Sequence, residues 1–141
     1  MIADDARDIV LKYLPDIDSD LLDTIVNIHF ELPQMGKAEN ELREDNLLMT
    51  AVFVVLSQLQ YSKEGTYGRS WCKRGELDVF FNLARKFDRL ENMMINEAKD
   101  EVGEPLIDTV GDEANYGLLW MTLFLRKHPK VFLEWIKNNS N

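Results

Sequence analysis

In the second half of this chain Asp108, Asp112 and Asn115 recur at i, i+4 and i+7, so on a helix they lie within about 60° of one another. Two carboxylates one turn apart repel, and something nearby must compensate. A Mg2+ ion of the kind that bridges phosphate oxygens would do so, with both acids as ligands. The helix macrodipole also favours an acid at Asp108 in a first turn, and a solvated acidic stripe is the competing account. Glu91 falls on the same helical face as Phe80, Leu83, Ala84, Phe87, Leu90 and Met94, and a carboxylate aimed at a core needs a cation, a metal or a proton. A salt bridge to a neighbouring helix, or a helix end that lets Glu91 reach water, would satisfy it equally. Arg85, Arg89 and Asn92 share a different face beside Asp88, as an anion clamp or as solvated surface.

The segment YGRSWCKRG, residues 67–75, is the least ordinary stretch. Tyr67 and Trp71 offer flat faces for a base, and Arg69, Lys73 and Arg74 offer phosphate donors. Gly68 and Gly75 allow close backbone approach. Trp71 plugging the core, with its basic neighbours neutralising the acidic first third of the chain, is the alternative. Loops that gather aromatic and basic residues are more often functional than packing, which favours the ligand reading.

Charge and composition exclude several classes. The 141 residues carry 16 basic and 25 acidic side chains, a net charge of -9. Residues 1–45 hold 12 acids against 4 basic residues, whereas residues 61–75 set Lys63, Arg69, Lys73 and Arg74 against Glu64 alone. Duplex DNA requires a broad positive surface, so a small anion suits this distribution better. One cysteine, Cys72, and two histidines, His29 and His128, leave no thiolate or imidazole cage for zinc. No run of about 18 apolar residues could cross a membrane. The opening MIADDARDIV has aspartates where a secretory signal would be basic, so a cytoplasmic location is expected.

The elements that must position these residues read as five or six helices in one all-α domain, with no sheet. Ile2 to Leu14 form one apolar stripe ending at Pro15. Ser19 is the expected N-cap of a second helix, stopped by Pro33 and Gly36. A third helix is expected from about Leu42 to Tyr61, although its Val-Phe-Val-Val run could also make a buried strand. Then follow a loop from Ser62 to Gly75, a helix from about Glu76 to Asn96, the linker KDEVGE, a helix with Pro105 in its first turn, and a last helix starting at Pro129. The NNSN tail is expected to fray. Trp-rich all-α domains of this size with buried polar helices often assemble as dimers or larger, so a homo-oligomer with a site at a subunit boundary is expected.

Three pieces in order, YGRSW in a loop, RKFDRLEN on a helix and DTVGDEANYGLLW on the next, resemble the nucleotide-modification-associated domain family found largely in phage genomes. That family is similar at a distance to MazG-like all-α NTP pyrophosphatases and to phage dATP/dGTP diphosphohydrolases. The resemblance covers about residues 61–124. It implies a MazG-like helical architecture, a substrate-side loop holding Tyr67, Gly68, Ser70 and Trp71, phosphate contacts from Lys86 and Arg89, and Mg2+ ligation by Glu91, Asp108 and Asp112. The sequence departs from the MazG pattern in lacking a Glu-Glu-x-x-Glu helix. Its nearest substitute is Glu41, Glu44 and Asp45 in ENELRED, which also reads as an acidic helix start.

Three functions follow. The first is a Mg2+-dependent nucleotide pyrophosphohydrolase, with Glu91, Asp108 and Asp112 holding the metal, Arg69, Lys86 and Arg89 neutralising phosphates, and Tyr67 or Trp71 stacking the base; Lys73, Arg74 and Asn115 complete the nucleotide site. The second is a phage-type protein that sequesters a nucleotide without turning it over. The third is an inhibitor whose acidic first third docks on a basic host protein.

Overall fold

The computed structural model describes residues 2–32, 40–96 and 105–139, except for the side chains of residues 40–42, 66 and 67. The described residues are all-helical: α1 (Ala3–Tyr13), α2 (Ser19–Glu31), α3 (Asn40–Tyr67), a single 3-10 turn (Ser70–Cys72), α4 (Glu76–Met94), α5 (Leu106–Lys127) and α6 (Pro129–Asn139). The segments holding Pro33, Gly36 and the KDEVGE linker lie outside the described residues, as do the last two residues of the tail. Where length and composition suggest one domain, the chain divides into two compact units, 1–61 and 62–141.

The first unit is built on aliphatic burial. Ala6 and Val10 of α1, Leu22, Ile25 and Val26 of α2, and Leu47, Ala51 and Val54 of α3 form one buried cluster, flanked by Ile9, Ile17, Leu21 and Ile28. The spacings i, i+3, i+4 within each helix put these residues on one face, and removing that face from water is what holds three helices together. The N-cap of α2 is Asp18, not Ser19: its carboxylate accepts the Leu21 N–H at 3.1 Å, and Ser19 is the first helical residue. Arg7 of α1 is ion-paired with Asp23 of α2. Buried Thr50 donates to the Asn46 carbonyl at 2.9 Å, so its hydroxyl is satisfied within α3.

The expected loop from Ser62 is largely helix. No proline occurs between Tyr61 and Gly68 and the one glycine there, Gly65, is held in helical conformation, so α3 runs on to Tyr67, and its last bond is donated by the Gly68 N–H to the Glu64 carbonyl at 2.9 Å. Gly68 turns the chain with φ +60°, a left-handed conformation that only glycine adopts cheaply. Gly75, with φ +84°, makes the second turn and caps α4. Pro105 stands just outside α5 as its N-cap, in extended conformation.

In the second unit α4 and α5 pack antiparallel. Lys127 lies against Gly75, Trp120 against Phe80, and Asp112 against Lys86, so the chain numbers fall on one helix as they rise on the other.

Candidate functional site

The face that α4 turns inward is not its most apolar one. Val79 is fully buried, and Asn82, Leu83, Lys86, Arg89, Leu90 and Met93 are half-buried around it. Phe80, Phe87 and Met94, expected to form the core stripe, are exposed, and Glu91 is exposed with them. Apolar residues cover most of the circumference of α4, so periodicity alone selects the aromatic side. The side buried within the unit carries the polar groups instead. Glu91 lies about 140° around the helix from Lys86 and faces away from α5.

Opposite this face, α5 presents Thr109, Asp112, Glu113, Tyr116 and Trp120, a set at i, i+3, i+4, i+7 and i+11 that is polar at one end and aromatic at the other. Lys86 Nζ lies 2.9 Å from Asp112 Oδ2, and its side chain is only 13% exposed. Lys63, from the last turns of α3, lies 3.3 Å from Asp112 Oδ1. Two ammonium groups therefore share one carboxylate, one on each oxygen. Burial alone would raise the Asp112 pKa, but the hydrogen bond and charge of Lys86, together with Lys63, outweigh it and hold the carboxyl below its ordinary value. The neighbouring Glu113 goes the other way: burial pushes its carboxyl up, and the charge of Lys86 offsets only part of that.

The same unit contains buried polar atoms with no hydrogen-bond partner among the described residues: Trp71 Nε1, Thr109 Oγ1, Glu113 Oε1 and Trp120 Nε1. Buried polar groups are nearly always paired, so four in one small unit are an excess that calls for a partner.

The basic turn is only partly at liberty. Arg74 is tied to Asp78 through both its backbone N–H (2.6 Å to Oδ2) and its guanidinium (3.3 Å to Oδ1). The Arg69 guanidinium reaches Cys72 Sγ at 3.6 Å. Lys73 is exposed. Trp71 does not stand out as a bare platform: it is half-buried, with its indole nitrogen inside. Tyr67 ends α3, and its side chain lies outside those described. Asn115 is buried and Arg89 half-buried, and both are engaged by other groups of the chain.

The residues present do not fit the expected metal centre. Glu91 and Asp108 are exposed, Asp112 has both oxygens occupied by lysines, and among the described residues no three His, Cys, Asp or Glu side chains stand close enough to hold a metal ion. The substitute acids fare no better. Glu44 accepts a hydrogen bond from Tyr13 at 2.9 Å, Asp45 is exposed, and the Glu41 side chain is outside those described. Sequence reasoning missed Lys63, Thr109, Glu113 and Trp120 as site residues. The polar run on one face of α5, T-x-x-D-E-x-x-Y-x-x-x-W, was the available signal.

No family model matches this chain, and no solved structure matches it. It is similar to the gene 30 protein of Bacillus phage SP01, at 36% identity over 121 residues, covering 70% of this chain and 54% of that protein. The chain spans about half the length of the relative it matches. Among the described residues no helix is long and apolar enough to cross a membrane.

Proposed function

We propose that this is a phage-type protein whose second unit binds a nucleotide or another small phosphorylated ligand without hydrolysing it. The observation that carries this reading is the sharing of Asp112 by Lys63 and Lys86. Two lysine ammonium groups converge on the one Asp112 carboxylate at a partly buried position, and burial pushes the pKa of the neighbouring Glu113 up. A phosphate oxygen would supply the missing counter-charge at a low-dielectric position where charge-assisted hydrogen bonds are strongest. The turn adds the cations Arg69 and Lys73, Arg74 being tied to Asp78, and the motif resemblance favours a nucleotide, while the phage relative supports the phage-type part of the reading alone. Binding is favoured over Mg2+-dependent pyrophosphohydrolysis because Glu91, Asp108 and Asp112 do not converge.

The test is a panel of NTPs and dNTPs, with Mg2+ and with EDTA, read by thermal shift and by pyrophosphate release. Ligand binding to the folded state raises the melting temperature by mass action. The expected outcome is an upward shift from at least one nucleotide in both buffers, with no pyrophosphate released. Pyrophosphate release in Mg2+ that Asp112→Ala abolishes would restore the hydrolase reading. A panel that shifts nothing would remove nucleotide binding altogether and leave docking of the acidic first third on a basic protein as the next hypothesis.

A further inference from the structure

The face of α5 that carries Asp112, Glu113, Tyr116 and Trp120 does not end at Trp120. With 3.6 residues per turn the next charged residue on it is Lys127, and all five fall within an arc of about 100°. From Asp112 to Lys127 is about 22 Å along the helix. No acid stands on α5 after Glu113, so along this length two aromatic rings are followed by a cation. Lys127 meets the basic turn: its Nζ lies 3.7 Å from the point where a Cβ on Gly75 would stand, and Lys73 is two residues before Gly75. Gly75, Val79, Asn82 and Lys86 recur at i, i+4, i+7 and i+11, so Gly75 and Lys86 share the side of α4 that meets α5. Two cationic points therefore lie on one seam between α4 and α5, Lys63 and Lys86 on Asp112 at one end and Lys127 with Lys73 at the other.

The chain has a net charge of -9, yet among the described residues Lys73 and Lys127 make no ion pair, and Asp78 is already held by Arg74. Between the two ends stand Tyr116 and Trp120, both half-buried. Phe80, 48% exposed, meets the Trp120 ring edge-on with centroids 6.5 Å apart, and Trp120 Nε1 is buried without a hydrogen-bond partner. Cation, ring, ring, cation is the order that binds a single strand of nucleic acid, with phosphates on the cations and bases on the rings. A mononucleotide held at the lysine pair would leave Lys127 and Lys73 unused. A stacked strand advances about 3.4 Å per nucleotide, so the seam has the length of several nucleotides. A duplex hides the flat faces of its bases and requires positive charge over a broad surface, which two cationic points do not provide. An acidic peptide would use the lysines and leave the rings idle.

Building on the nucleotide-binding reading above, we infer that the ligand of the second unit is a single strand of nucleic acid laid along the α4 and α5 seam from Lys86 to Lys127. The experiment follows the fluorescence anisotropy of a labelled strand of about 20 nucleotides and mixed sequence, as DNA and as RNA, titrated with the full chain in EDTA. At least one strand should bind about ten-fold or more tighter than the best mononucleotide, because its second contact is intramolecular, and the tighter of the two names the sugar. Lys127→Gln should weaken strand binding about five-fold or more and lower the slope of log Kd against log salt by about 0.7. Lys137→Gln, an equal change of charge at an exposed position of α6, should leave both as they are. A strand that binds no tighter than a mononucleotide would overturn the inference and leave the nucleotide reading standing, whereas a chain that binds neither would remove both. Equal binding of the annealed duplex, equal effects of Lys127→Gln and Lys137→Gln, or displacement of the strand by poly-glutamate as readily as by unlabelled strand would each overturn it too.

Discussion

The two units of this chain bury different things. The first closes over eight aliphatic side chains, together with His29 and the internally bonded Thr50. The second buries Val79, Leu119 and Leu123, together with Thr109 and Asn115, and holds a lysine-carboxylate-lysine group beside unpartnered indole, hydroxyl and carboxyl atoms. Aliphatic burial is satisfied by itself, whereas polar burial is satisfied only by a partner. Among the described residues the first unit leaves one buried polar atom unpartnered, Arg43 Nε, whereas the second leaves four, which is work for a ligand.

Cutting into the aliphatic unit is expected to have the largest effect. Ile25 is fully buried, and Ile25→Ala should destabilise by about 2–5 kcal/mol in a denaturant titration, through lost transfer energy and the cavity left behind. The next largest effect belongs to the polar unit. Lys86→Met leaves Asp112 with the half-exposed Lys63 as its remaining ion-pair partner and should cost about 1–3 kcal/mol, measured the same way. The two variants sharpen the contrast if only Lys86→Met also weakens the nucleotide response. Equal loss of that response in both would mean that the division of labour is wrong.

Smaller effects test the boundaries of each unit. Asp18→Ala removes the cap of α2 and should cost about 1 kcal/mol. His29 is held below its ordinary pKa by burial, so the unfolded chain takes up its proton first. Stability from this residue is therefore full above about pH 6.5 and declines as the pH falls from there through the folded value. A stability-versus-pH profile should show that decline, and His29→Leu should flatten it. For Asp112, whose carboxyl is held below the ordinary value, the loss comes only in strong acid, as the pH falls through its folded pKa. Glu113→Gln should change stability least, within about 0.5 kcal/mol of zero or slightly upward, because it removes a carboxylate that burial disfavours.

Helix positions were legible because the apolar spacing of α1, α2 and α3 matches the faces they bury, and because Pro129 and the turn glycines stand at or next to the helix ends. The site was less legible, for a physical reason. On α4 the aromatics Phe80 and Phe87 centre the expected stripe on themselves, whereas the buried face is centred on Val79 with Leu83 and Leu90 at its edge, so periodicity places Glu91 inside when it is outside. Lys86, read only through the resemblance, has a side chain only 13% exposed. Two acids at i and i+4 pointed to a metal. The compensating charge comes instead from Lys63 and Lys86, which lie far from Asp112 in sequence.

Calorimetric titration of the full chain with nucleotide, in EDTA, tests the central claim most directly when native, Lys86→Met and Glu91→Gln proteins of matched helical content are compared. Saturable binding in the native protein without metal is predicted, weakened about ten-fold or more in Lys86→Met by the loss of a charge-assisted bond and unchanged in Glu91→Gln. Binding that appears only with Mg2+ and disappears in Glu91→Gln would contradict it.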